Sequence, residues 1–164
     1  MRPEEPTKAE IDYLIKERKV IKRIPPVNGE ANAHTMKAFV FKRGNPGNSL
    51  GLIIKATAKK AIPGLPRPLP SAALVLLRRD ARVRGLNYEQ WHDNPDGTKV
   101  VGWHEHIWTE YGDDLVIPAR PKPEEITIHG LFKWGLRKWN IAVVEEQLSV
   151  NSNGSKKQNR KGIS

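Results

Sequence analysis

The chain has 164 residues, no cysteine, a hydrophobic fraction of 38% and a formal net charge of +10. That length builds one domain with a modest core, the missing thiols exclude disulfides and thiolate metal sites, and no apolar run is long enough for a membrane-spanning helix. The charge is uneven: Ala31 to Arg84 holds eleven Lys/Arg and one acid, Asp80, whereas Gly85 to Ala119 holds seven acids and one base, Lys99.

Residues 1–6 read as a flexible Pro/Glu leader without the apolar segment of a signal peptide, which points to a cytoplasmic location. Thr7-Lys8-Ala9-Glu10 has the form of a capping box. Ile11, Leu14 and Ile15 follow at helical spacing, so a helix is predicted over about 7–18. Val20 to Ile24 is a candidate strand, broken by Pro25 and Pro26. Thr35 to Lys42 alternates, with Met36, Ala38 and Val40 against Lys37, Phe39 and Phe41. With a turn at Arg43 to Asn48 and a return over Ser49 to Lys59, it predicts a hairpin rich in lysine, Lys42 and Lys55 included.

Residues 61–71 carry four prolines and read as a polyproline-like loop. Ala72 to Leu77 is apolar without alternation, the pattern of a strand buried on both faces at a sheet centre. Arg78, Arg79, Arg82 and Arg84 come directly after it. Gly85 to Trp91 and Lys99 to Trp108 form two arms around Asn94-Pro95-Asp96-Gly97, a strong turn signal. Leu115 to Ile117 is a short strand. A helix is expected from Pro123 or Glu124, with Ile128, Leu131, Phe132, Leu136 and Trp139 as its apolar stripe. Ile141 to Val144 continues it or adds an edge strand. The expected fold is α+β: an antiparallel sheet of about five or six strands, with an N-terminal and a C-terminal helix packed on one face. Residues 7–150 form that single domain, and 151–164 a disordered basic tail.

The chemistry concentrates in the Asn-Pro-Asp-Gly hairpin. Paired arms bring His92, His104 and His106 together, and the spacing of two puts His104 and His106 on one strand face, opposite Trp103, Glu105 and Ile107. Imidazoles titrate near neutrality, roughly 6.5 unperturbed, and suit proton transfer at cellular pH. The four arginines, with Lys42 and Lys55, are candidates for holding phosphate. Histidine with arginine on a small basic domain suffices for metal-independent RNA cleavage, in which the 2′-hydroxyl is the nucleophile, and no cofactor is required. Two other readings compete. One is a metal site built from the histidines with Asp93 or Asp96. The other is a Trp-rich hairpin in which Trp91, Trp103 and Trp108 pack and the histidines only hydrogen-bond. Gly-rich phosphate loops, nucleophile elbows and HExxH are absent.

Leu74-Val75-Leu76-Leu77-Arg78-Arg79-Asp80, His92-Asp93-Asn94-Pro95-Asp96-Gly97, His104-Glu105-His106-Ile107-Trp108, Tyr111-Gly112-Asp113 and Trp139-Asn140-Ile141 together resemble a small bacterial family reading LLRLD…HxNPDG…HxHIY…YGD…CNI. The pattern is also distantly similar to the TumE-like toxins of toxin–antitoxin pairs. The match spans about residues 72–141. It departs at Arg79, where the family has an apolar residue, and in a longer stretch from Arg82 to Trp91. The resemblance implies a mobile-element context, an antitoxin partner and a nuclease-like toxin whose working residues fall on His92, His104 and His106. The expectation is a nucleic-acid-directed protein, more for RNA than DNA, acting as a toxin-type endoribonuclease. The alternative is a non-catalytic nucleic-acid-binding or inhibitor protein of phage or plasmid origin.

Overall fold

The computed structural model describes residues 6–60, 64, 72–109 and 112–144. The expected leader up to residue 5, nearly all of the proline loop, Tyr111 and the basic tail lie outside them. Helix α1 spans Lys8–Lys16, and strands β1 to β4 are Lys19–Ile21, Asn28–Gly29, Ala33–Lys42 and Asn45–Lys59. Strands β5 to β8 are Ala72–Arg78, Ala81–Asp93, Lys99–Thr109 and Gly112–Pro118. A 3₁₀ turn at Pro123–Glu125 leads to α2, Ile128–Lys138, and to β9, Ile141–Val143. Among these residues no helix is long and apolar enough to cross a membrane.

The nine strands form one sheet in the order β8-β7-β6-β5-β4-β3-β1-β9, with β2 pairing β3 beside it. Every pairing is antiparallel except β1 with β9, which is parallel. This corrects the expected five or six antiparallel strands. Three of the strands have only two or three residues, too short to show a period of two. The parallel pair joins Lys19 to Ile141, a contact that local pattern cannot reveal. The stretch from Arg82 to Trp91 lies in the long strand β6. Two further expectations are corrected. β5 alternates buried with half-buried residues, so only its helix-side face is sealed. The C-terminal helix begins at Ile128, where Thr127 Oγ1 accepts from Gly130 N at 2.9 Å. Gly130 sits so close to the 3₁₀ turn that an added Cβ would lie 2.4 Å from the Glu125 carbonyl oxygen.

Both helices bury their stripes on one sheet face. Ile11 and Leu14 of α1 join Leu131, Phe132 and Leu136 of α2 over Met36, Val40, Leu52, Ile54, Leu74, Leu76 and Leu86. Thr7 caps α1, its Oγ1 accepting from Glu10 N at 3.1 Å. The other half of the expected capping box is diverted, because the Glu10 carboxylate takes Arg78 Nη2 at 2.5 Å.

Lys19 closes the far end of α1. It is 1% exposed, and its Nζ donates to the carbonyls of Leu14, Ile15 and Glu17 at 2.6, 3.0 and 2.6 Å. These are oxygens that the helix end leaves without partners. Burial lowers its pKa from 10.5 to about 8, against a smaller opposing effect of Glu17. Between those two pH values the folded chain binds fewer protons than the unfolded one, so stability rises with pH through that window and the full penalty acts below it. Denaturant titrations of wild type and Lys19→Met at pH 7 and pH 10 are expected to differ. The wild type should gain roughly 3 kcal/mol relative to the variant over that range. Equal gains in both proteins would mean that Lys19 keeps its ordinary affinity for a proton.

Candidate functional site

The β6–β7 hairpin carries the histidines. Gly85 pairs with His106 and Asn87 with His104, so the two rings and Asn87 share the sheet face turned away from the helices. Leu86 pairs with Glu105 on the helix side. Strict alternation along β6 would turn His92 away from this face. A bulge between Glu89 and His92 sets three steps of β6 against two of β7 and pairs His92 with Val100. The extra residue rotates His92 onto the histidine face.

The three rings are close. Their centroids lie 5.5 Å apart for His92 and His104, 5.6 Å for His92 and His106, and 4.9 Å for His104 and His106. His104 Nδ1 donates to the Gly102 carbonyl at 2.9 Å. Gly102 has φ +86°, a left-handed value that glycine adopts without strain. A carbonyl only accepts, so the neutral His104 ring carries its proton on Nδ1 and presents a lone pair at Nε2. That Nε2 lies 3.2 Å from His106 Nε2, which is 2.9 Å from Asn87 Oδ1. His104 is 0% and His106 3% exposed, whereas His92 is half-buried.

The walls of this enclosure come from the hairpin tip. Asn94 belongs to the expected turn but is buried. Its Oδ1 accepts from Val116 N at 2.8 Å, and its Nδ2 donates to the Val116 carbonyl at 3.0 Å and to Thr98 Oγ1 at 3.0 Å. Val116 pairs with His106 on β7. The Asn94 amide therefore runs along β8 like a neighbouring strand residue, and the hairpin end curls over the histidines to reach it. Asp96 holds the tip by accepting from Thr98 N and Thr98 Oγ1 at 2.9 and 2.7 Å, and these bonds lower its pKa.

The structure disperses the arginines. Arg78 is taken by Glu10 and by the Leu50 carbonyl. Arg84 faces the helix side, 3.6 Å from Asp12 and donating to the Val83 carbonyl at 2.8 Å; burial lowers its pKa. Arg79 and Asp80 have φ +46° and +67° and form the two-residue β5–β6 turn, with Arg79 exposed. Only Arg82 lies on the histidine face among the four, its Cδ 3.0 Å from where a Cβ on Gly85 would sit. Of the four candidate phosphate-holding arginines, the structure thus brings one, Arg82, to the face of the histidines. The tryptophans separate too: Trp103 meets Tyr88 edge-on, Trp108 Nε1 donates to the Pro6 carbonyl at 3.0 Å, and Trp91 is exposed rather than packed.

A second candidate lies on the same sheet face at β3 and β4. Lys37 pairs with Lys55 and Phe39 with Ile53, so these four side chains share the face. Phe39 is 56% exposed. Lys37 Nζ is 5.9 Å from the Phe39 ring centroid and Lys22 Nζ 4.9 Å from that of Phe41. A cleft of about 260 Å³ opens between these rings and the segment Lys22 to Pro26. The lysines and the alternation of Lys37, Phe39 and Phe41 were visible in the sequence. Their joining with Lys22 and Pro25 was not; Asn87 carried no signal, and Asn94 signalled only a turn. Lys42 is exposed at the end of this hairpin. No protein-family model matches the chain, and neither a curated protein nor a solved structure matches it, so the TumE-like resemblance rests on its motif residues alone.

Proposed function

We propose that the protein binds single-stranded nucleic acid, RNA first among the candidates, on the open sheet face around Phe39. The observation that carries this reading is an exposed phenylalanine set among lysines on a rigid strand pair. Bases stack on such a ring regardless of sequence, and lysines follow the phosphates. The net charge of +10 adds long-range attraction. Fluorescence anisotropy with a labelled single-stranded RNA is the test. Phe39→Ala should weaken binding by roughly 5- to 100-fold, the range of one lost stacking contact. Lys37→Glu with Lys55→Glu should weaken it further and flatten its salt dependence. Undiminished affinity in all these variants overturns the reading.

Cleavage of the bound strand is a second reading, and one observation favours it. Arg82 crosses Gly85, the residue paired with His106, on the face that Phe39 also occupies. Burial of His104 and His106 leaves His92 as the ring with access. Cleavage by the wild type that is lost in His92→Ala supports this reading. An intact RNA after prolonged incubation removes it and leaves the binding reading standing.

A further inference from the structure

We propose that the cleft beside Phe39 receives the base of one unpaired nucleotide, edge-on against the backbone of β3. This slot belongs to the nucleic-acid surface proposed above, and its class of ligand rests on that reading. It is a gap in the sheet. β1 pairs with β3 at Val20 and Phe41, and β2 pairs with β3 at Asn28 and Thr35. Between those pairs the chain takes eight steps, from Val20 to Asn28, while β3 takes six, from Phe41 to Thr35. The longer path contains Pro25 and Pro26, which have no N–H to give a ladder. Lys22 to Val27 accordingly leave the sheet, and the cleft opens between them and β3.

The ladders fix which backbone groups face that gap. Lys60 N donates to the Asn32 carbonyl at 3.0 Å, in register with Ala33 and Lys59, so the even-numbered residues of β3 bond β4. Glu30 N donates to the Ala33 carbonyl at 2.8 Å, in register with Asn28 and Thr35, so the odd-numbered residues face β2. Lys37 and Phe39 are the odd-numbered residues between the two paired segments. Their N–H and C=O groups point into the gap, where no backbone partner reaches them among the described residues. Such a row of donors and acceptors invites pairing. A peptide strand does not fit, because β1 and β2 close the gap at both ends. The edge of an unpaired base does, since it carries donors and acceptors in one plane. The cleft, about 260 Å³, is smaller than the ~300–1,000 Å³ of pockets for drug-sized ligands. Phe39 and Phe41 line it opposite Pro25 and Pro26, and these rings cover the faces of a base. Lys22, Arg23 and Lys37 line it too, with no acid, which suits the attached phosphate. A base in a duplex has its pairing edge occupied, so the slot selects single strands.

The full chain, isotopically labelled, is titrated with AMP, UMP and ribose 5-phosphate and followed by its amide resonances. The tighter of the two nucleotides is expected to saturate with a Kd of about 1 mM or below and to move the Lys37 and Phe39 amide protons downfield, as a new hydrogen bond does. Ribose 5-phosphate, which lacks the base, should bind at least about tenfold more weakly. Pro25→Gly with Pro26→Gly should keep the fold by circular dichroism and bind the nucleotide about threefold more weakly or worse. No saturation by either nucleotide up to about 10 mM overturns the proposal. So do equal affinities for nucleotide and ribose 5-phosphate, or Lys37 and Phe39 amides unmoved at saturation. The same protein is titrated with single-stranded RNA. RNA binding that depends on Phe39, with neither nucleotide moving these amides, overturns the slot alone. Saturation by a nucleotide without RNA binding keeps the slot and overturns the nucleic-acid reading.

Discussion

Replacing Trp139 with alanine is expected to cost about 3–5 kcal/mol of folding stability, the largest effect of any single substitution considered for this fold. Trp139 ends α2, is 1% exposed and meets Trp134 edge-on at 5.9 Å. A Cβ on Gly135 would lie 3.0 Å from the Trp139 ring edge, 2.6 Å from Leu74 Cδ2 and 3.1 Å from Ile54 Cδ1, so the helix approaches β4 and β5 with no spare room. Truncation opens a cavity that such a tight contact cannot collapse. It also removes the indole N–H that donates to the buried Glu105 carboxylate at 3.1 Å. Trp139→Phe separates the two contributions: it keeps most of the apolar volume and loses the donor, with an expected cost of about 1–3 kcal/mol. Urea titration measures both. A Trp139→Phe variant as stable as wild type would show that Glu105 is held by Arg84 instead.

Asn94→Ala is the second substitution, with an expected loss of about 2–4 kcal/mol. It leaves the Val116 N–H and carbonyl without the amide that pairs both, and a buried polar group without a partner costs about 1–3 kcal/mol. The loss has a structural signature besides stability. The curl of the hairpin tip over His104 and His106 depends on this contact, so the Val116 amide should exchange with solvent faster by a factor that exceeds the global destabilisation. Asn94→Asp is the sharper control: it keeps the acceptor for Val116 N–H and sets a carboxylate oxygen against the Val116 carbonyl. Exchange at Val116 unchanged in both variants would show that the tip is held by Asp96 and Thr98 alone.

The hairpin shows where local pattern reaches and where it stops. The spacing of His104 and His106 put both rings on one strand face, because alternation is a property of any extended backbone. The Asn-Pro-Asp-Gly turn marked where the chain reverses, through the conformational preferences of proline and glycine. His92 joins the other two only through a bulge that inserts an extra residue between Glu89 and His92. Nothing in Glu89-Gln90-Trp91 marks such an insertion, since a bulge reports how two strands fit and not what one strand prefers. The arginines are parted for a related reason. Arg78, Arg79, Arg82 and Arg84 are neighbours in sequence, but a two-residue turn, a bulge and two helix carboxylates divide them between the sheet faces and the end of the sheet.

By itself the amino-acid sequence determined the periodic elements: the Thr7-capped helix, the stripe of α2, the alternating hairpin of β3 and β4, and the shared face of Lys37 and Phe39. Each follows from interactions within a few residues. Only the tertiary structure decided the nine-stranded mixed sheet, the parallel docking of β9 on β1, the diversion of Arg78 and Arg84 into ion pairs, and the enclosure of the three histidines by Asn94 and β8. These depend on partners far apart along the chain. Their energies exist only once the sheet has brought those partners together.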